Sequence, residues 1–197
     1  TKRDQAKIAF SNAKNTVRYS KTLSKFIKVH AQNLTFQDGK FEALSSDSKV
    51  QDGLNPSCAI IDEYHAHKTD ELLNVIQSGM GAREQPLIFI ITTAGHELSY
   101  PCHEEYERVS KMLEGARGYE NDTYFAIIYE LDSGDDPANP KNWIKANPNL
   151  DVKGALSSDE LMIELRNAKQ KSSGMAEFLK KRMDVWINND DVWIDDE

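Results

Sequence analysis

The sequence contains nothing that a bilayer or a secretory pathway would recognise. No apolar run in its 197 residues approaches the ~20 needed to span a membrane, and the N-terminus lacks the charged-then-apolar layout of a signal peptide. Cysteine is scarce. The two present, Cys58 and Cys102, have no CxxC spacing and Cys58 sits inside an apolar run, so a reduced, intracellular setting is expected. An excess of positive charge is also missing: a net charge of -8 and a pI near 5.2 exclude a chain whose whole surface tracks nucleic acid or anionic lipid, though not a local basic face. With 39% hydrophobic residues the chain can bury one core, with room for a small appendage.

What is present is organised around Ser57-Cys58-Ala59-Ile60-Ile61-Asp62-Glu63-Tyr64-His65-Ala66-His67. A run of small and β-branched apolar residues ending in two acids reads as a buried parallel strand that delivers carboxylates to the sheet's C-terminal edge, where α/β proteins place their chemistry. Adjacent acids at a strand tip suit phosphoryl chemistry, one holding Mg²⁺ and the other polarising a water. The pattern resembles a Walker B motif, with Asp62 as the metal-side acid and Glu63 as the catalytic glutamate. The competing reading is that the two acids only cap the next helix.

Before that strand, Ala6, Ile8, Ala9, Phe10, Ala13 and Val17 predict a helix from Asp4 to about Tyr19, and a second helix is expected over Leu23–His30. Lys2, Arg3, Lys7, Lys14, Arg18, Lys21, Lys25 and Lys28 make this the most basic part of the chain, either a solvated face or a surface for DNA or phosphate. Two alternating runs around Gln37-Asp38-Gly39 predict a β-hairpin, and Ser45–Asn55 reads as a loop.

After the acids, Thr69 is a candidate N-cap for a helix from Asp70 to about Gln77. His65 and His67 have a zinc-compatible spacing without a third ligand nearby. Pro86–Gly95 is a second apolar strand, and a strand-helix-strand unit would bring Thr92 and Thr93 out beside Asp62 and Glu63, where such residues sense a γ-phosphate or simply end a strand. Arg83, before that strand, lies near its opposite end and acts either on a neighbouring subunit's nucleotide or as an ordinary surface arginine. Pro101 opens a helix to about Glu114, and Thr123–Glu130 is expected as a third buried strand. Asp132, Asp135 and Asp136 fall in a flexible loop and read as solvated charge rather than a metal cluster. The last third is expected to be helical and polar, with a capping sequence at Ser157–Glu160, a break at Gly174, and Trp186 and Trp193 exposed unless they pack back.

In this order the motifs resemble the large subunit of a tailed-bacteriophage terminase. The resemblance rests on Ala59–His67, Ala82-Arg83-Glu84-Gln85-Pro86-Leu87 and Ile91-Thr92-Thr93-Ala94-Gly95, supported by Thr1–Ala6 and Asn147-Pro148-Asn149-Leu150. It implies an α/β fold: part of a P-loop NTPase-like three-layer architecture with a mainly parallel sheet, a β-hairpin and a helical C-terminal subdomain. Residues 1–132 would be the later part of the ATPase domain and 133–197 a linker subdomain. The resemblance further implies ATP and Mg²⁺ as cofactors, Asp62 as metal ligand, Glu63 and Arg83 as catalytic residues, and Thr92 and Thr93 as nucleotide-contacting coupling residues. The implied partners are double-stranded DNA, a portal protein, a small terminase subunit and further copies in a ring, in the cytoplasm of an infected bacterium.

One element of that pattern is missing. No glycine-rich loop ending in Gly-Lys-Ser/Thr occurs, so the backbone amides and lysine that would hold the β- and γ-phosphates are not encoded here. Thr1–Ala6 reads as a helix start with no strand to feed it, and the chain is therefore expected to be part of a longer polypeptide that is inactive in isolation. Two other functions compete: a metal-dependent nuclease using Asp62, Glu63 and Asp132, and a non-catalytic module that binds DNA or protein through the basic N-terminal helices.

Overall fold

A computed structural model describes residues 3–44 and 54–188, so Trp193 and most of the expected loop over 45–55 lie outside the described residues. The chain divides into two compact units, Thr1–Tyr64 with Thr69–Ile91 and His65–Lys68 with Thr92–Glu197.

In the first unit, α1 (Arg3–Tyr19) carries an i, i+3, i+7 stripe of Phe10, Ala13 and Val17 that packs with Leu34, Ile27, Val29 and Ala43. The helix expected over Leu23–His30 is not formed. A single 3₁₀ turn at Leu23–Lys25 gives way to β1 (Lys28–Val29), which pairs antiparallel with β2 (Asn33–Phe36) and sets Val29 opposite the buried Leu34. Joining the ladder lets β-branched Ile27 and Val29 reach the core, which outweighs a marginal helix tendency. The hairpin to β3 (Gly39–Glu42) is formed, with Phe36 opposite Gly39. The left-handed backbone expected of Asp-Gly falls instead on Gln37, at φ 51°.

The same unit holds the predicted strand-helix-strand segment. β4 (Cys58–Asp62) pairs parallel with β5 (Leu87–Ile91), connected through α2 (Glu71–Gly79). The helix starts with Asp70, not Thr69, at its N-cap. Expected burial is only half met. Ile61 is buried and Ala59, Ile88 and Ile90 are partly covered, but Cys58, Ile60, Leu87, Phe89 and Ile91 are exposed. Because side chains alternate across a sheet, those five share one face, left bare because the described residues provide no layer over it.

In the second unit, α3 (Pro101–Leu113) starts on its proline, followed by α4 (Trp143–Ala146), α5 (Ser158–Ala168) and α6 (Gly174–Arg182). Trp143, Leu161 and Met183 are fully enclosed in a core with Leu131, Leu165 and Phe178. The Trp143 indole donates to the Pro137 carbonyl at 2.8 Å, so the core's largest side chain leaves no polar atom unsatisfied. Ser157 and Glu160 form the predicted capping box. Lys145 bridges Asp132 and Asp135, each at 2.6 Å, so these acids serve an ion pair. The third strand expected at Thr123–Glu130 is not a strand. Its side chains alternate, with Tyr124, Ala126, Ile128 and Glu130 half-buried and Phe125, Ile127 and Tyr129 exposed, but no neighbouring strand completes a ladder among the described residues. It is anchored instead by side chains. Tyr124 donates to Glu105, and the Tyr106 hydroxyl donates to Glu130 at 2.8 Å.

Candidate active site

The parallel pairing fixes where the acids stand. Asp62 is the last residue of β4 and is registered against Ile91, the last residue of β5, so both strands end at the same edge. The Glu63 backbone N–H then donates to the Ile91 carbonyl at 2.8 Å, extending the pairing one step past the strand. Glu63 adopts φ 55°, a left-handed conformation uncommon for a residue with a Cβ. Such strain persists only where the surroundings hold it, and here it turns the chain sharply at the acid pair. Asp62 is exposed and Glu63 half-buried. Two carboxylates at an accessible tip are hard oxygen donors of the kind Mg²⁺ takes alongside phosphates and water.

Arg83 is at the other end. It follows α2 and donates from its guanidinium to the carbonyl of Asn55, three residues before β4 begins. The structure therefore brings Asp62 and Glu63 together and sets Arg83 a strand length away. No group of three or more His, Cys, Asp or Glu side chains suited to a metal is gathered among the described residues.

Within the second unit, the segment that leaves β5 is tightly held. Thr92 Oγ1 meets both the backbone N–H and Nδ1 of His65 at 3.0 Å, and the Cys102 thiol points at it from α3 at 3.9 Å. Thr92 and Thr93 are exposed, while Ala94 and Gly95 are buried. The Ala94 N–H donates to Asp184 Oδ1 at 2.6 Å. A Cβ on Gly95 would stand 3.0 Å from Trp186 Cζ3 and 3.2 Å from His65 Cβ, so any larger residue would force these neighbours back by a few tenths of an ångström. Trp186 packs edge-on against His103 at 4.9 Å between ring centroids and lies 5.8 Å from Tyr106. It has packed back, as one of its two expected alternatives.

Burial shapes the electrostatics here. It pushes the Cys102 thiol up to about 11, which keeps it protonated and inert. It also raises the Asp184 carboxyl, against the Ala94 hydrogen bond and the charge of His65, which favour ionisation. His67 is lowered to about 4, first by burial, with the charge of His65 adding to it. Sequence reasoning missed Asp184 and the roles of His65 and Gly95. No local pattern marks Asp184, because its partner Ala94 is ninety residues away.

Comparison with known proteins shows the family and the fold of the chain. The family model of the terminase large subunit ATPase domain matches residues 1–111, and that of the terminase large subunit endonuclease domain matches residues 119–197. Protein YmfN of Escherichia coli (strain K12) is 41% identical over 137 residues, covering 70% of this chain and 29% of that protein. The terminase large subunit of Enterobacteria phage HK97 is 25% identical over 154 residues, covering 75% and 29%. This chain thus spans about 29% of the length of these relatives. The crystal structure of the HK97 bacteriophage large terminase superposes with a TM-score of 0.77 at 21% identity, covering 93% of this chain and 38% of that one, which establishes a shared fold. With the ATPase-domain match alone covering more than half of its residues, the chain belongs to the terminase large subunit family.

Proposed function

We infer that this chain is a segment of an ATP-driven motor that moves double-stranded DNA into a viral shell. The observation that carries the reading is the acid pair Asp62-Glu63 at the common end of two registered parallel strands. When bound, Mg²⁺ neutralises charge on the β- and γ-phosphates. Asp62 would hold it, directly or through water. Glu63, turned at the strand end, orients a water and accepts its proton. Thr92 and Thr93 follow β5 directly and are exposed, suited to contact the γ-phosphate and register its departure. Arg83, anchored at the far end of the strands, serves a neighbouring copy in a ring, neutralising transition-state charge in trans.

Charge distribution supports a DNA partner. Residues 1–44 hold nine Lys and Arg against three Asp and Glu, whereas residues 45–197 hold fifteen against twenty-nine. Lys7, Arg18, Lys21, Lys25 and Lys28 are exposed on α1 and the segment that follows it. A portal protein, a small terminase subunit and the cytoplasm of an infected bacterium complete the proposed setting. The test is Glu63→Gln in the full-length protein. ATP turnover falls roughly a hundredfold or more while Mg-ATP binding is retained; unchanged turnover rejects the reading.

A further inference from the structure

The Thr92–Gly95 segment is gripped from two directions by residues that carry no chemistry in the mechanism above. On one side stands His65, in contact with Thr92. On the other stands the exit of α6: Asp184 accepts the Ala94 N–H, and Trp186 closes on Gly95. Asp184 follows Met183, which is fully enclosed in the helical core and whose carbonyl accepts the Leu131 N–H at 3.2 Å. Asp184 itself takes a left-handed backbone at φ 55°, and the Val185 N–H returns to the Leu179 carbonyl at 3.1 Å, so the chain reverses sharply after α6 and aims the carboxylate at Ala94. Nothing in the helical core requires that turn to face the β5 exit. It exchanges one hydrogen bond and one ring contact with that segment, and is otherwise tied to α6 and, through the Trp186 ring, to His103 and Tyr106 of α3.

We propose that Asp184, with Trp186 beside it, is a positioning residue that ties the Thr92–Gly95 segment to the end of α6 and transmits its displacement to the helical part of the chain. The inference rests on the coupling role given to Thr92 and Thr93 above. A segment that shifts when the γ-phosphate leaves must either break the Ala94–Asp184 hydrogen bond or carry Asp184 along. Because Met183 is enclosed in a close-packed core, a pull on Asp184 is passed into that core as a unit. Asp184 touches neither nucleotide nor metal in this scheme.

The experiment compares Asp184→Ala and Asp184→Asn in the full-length protein, since the Asn side-chain oxygen still accepts from Ala94. Expected for Asp184→Ala is a KM for ATP within about twofold of wild type and at least about a tenfold drop in DNA moved per ATP hydrolysed, with Asp184→Asn recovering most of the loss. Hydrogen exchange gives a second readout. Amides at 183–187 differ in protection between Mg-ADP and a non-hydrolysable Mg-ATP analogue in wild type and Asp184→Asn, and this difference vanishes in Asp184→Ala. Equal DNA movement per ATP in Asp184→Ala and wild type overturns the proposal, as does an Asn variant as impaired as Ala. A wild-type protein that turns over no ATP fails differently: it refutes the motor reading itself, and this inference with it.

Discussion

A methyl group on Gly95 would sit 3.0 Å from Cζ3 of Trp186, closer than nine in ten real Cβ contacts. The neighbour is the edge of an indole already packed on His103 and Tyr106, so it has little room to give. Gly95→Ala is therefore expected to destabilise the chain by about 1–3 kcal/mol, as overpacking does. Chemical denaturation of the two proteins measures it, and an unchanged midpoint would show that Trp186 yields without cost.

Trp143 bears most on the stability of the helical core. It is fully enclosed and hydrogen-bonded to Pro137, so Trp143→Ala leaves a large cavity and an unpaired carbonyl. The expected loss is roughly 3–5 kcal/mol. Trp143→Phe keeps most of the volume and should cost clearly less; equal losses would mean the hydrogen bond rather than the packing dominates.

His67 gives the chain a pH dependence with a definite sign. Its folded value is lowered from 6.5 to about 4, so between those values the unfolded state binds the proton and the folded state does not. Stability is fully present above about 6.5 and is lost as the pH falls toward 4. Glu177, held near 2 by hydrogen bonds from Lys180 and Lys181, acts in a lower window, below its ordinary 4.5. His67→Gln should flatten the thermal-unfolding midpoint against pH in the upper window only, and an unaltered slope there would show that His67 titrates normally.

The bare face of β4 and β5 predicts self-association of this chain. Ile60 and Phe89 lie opposite each other on it, 58% and 51% exposed. Replacing both with Thr retains strand preference and removes the apolar surface, so light scattering should report a smaller mass than for the parent at equal concentration. No difference would locate the sticky surface elsewhere.

Without a phosphate-binding loop, the chain alone should bind Mg-ATP only weakly. Calorimetry showing micromolar affinity would contradict this and point to phosphate contacts from residues other than a Walker A loop.

The parts of this fold legible in the sequence are those set by short-range pattern. The strand ending in Asp62, its parallel partner ending at Ile91, the proline start of α3 and the Ser157 cap each follow from a few adjacent residues. The misreadings arise where a distant partner decides the outcome. Lys28 and Val29 extend because β2 is available to pair with them. Tyr124–Glu130 alternates like a strand yet has only side-chain anchors among the described residues, and alternation alone does not distinguish the two. At the site, Asp62 and Glu63 were readable as a motif, but the left-handed turn at Glu63 was not, and no spacing rule joins Ala94 to Asp184.

The division into units has a practical consequence for anyone wishing to express them separately. The backbone passes from one unit to the other after Tyr64, back after Lys68 and over again after Ile91. No single cut yields two intact halves: truncation after Ile91 strands His65–Lys68 without Thr92, while a product beginning at Thr92 lacks the imidazole that its first residue grips. Biochemical dissection must therefore proceed by point substitution.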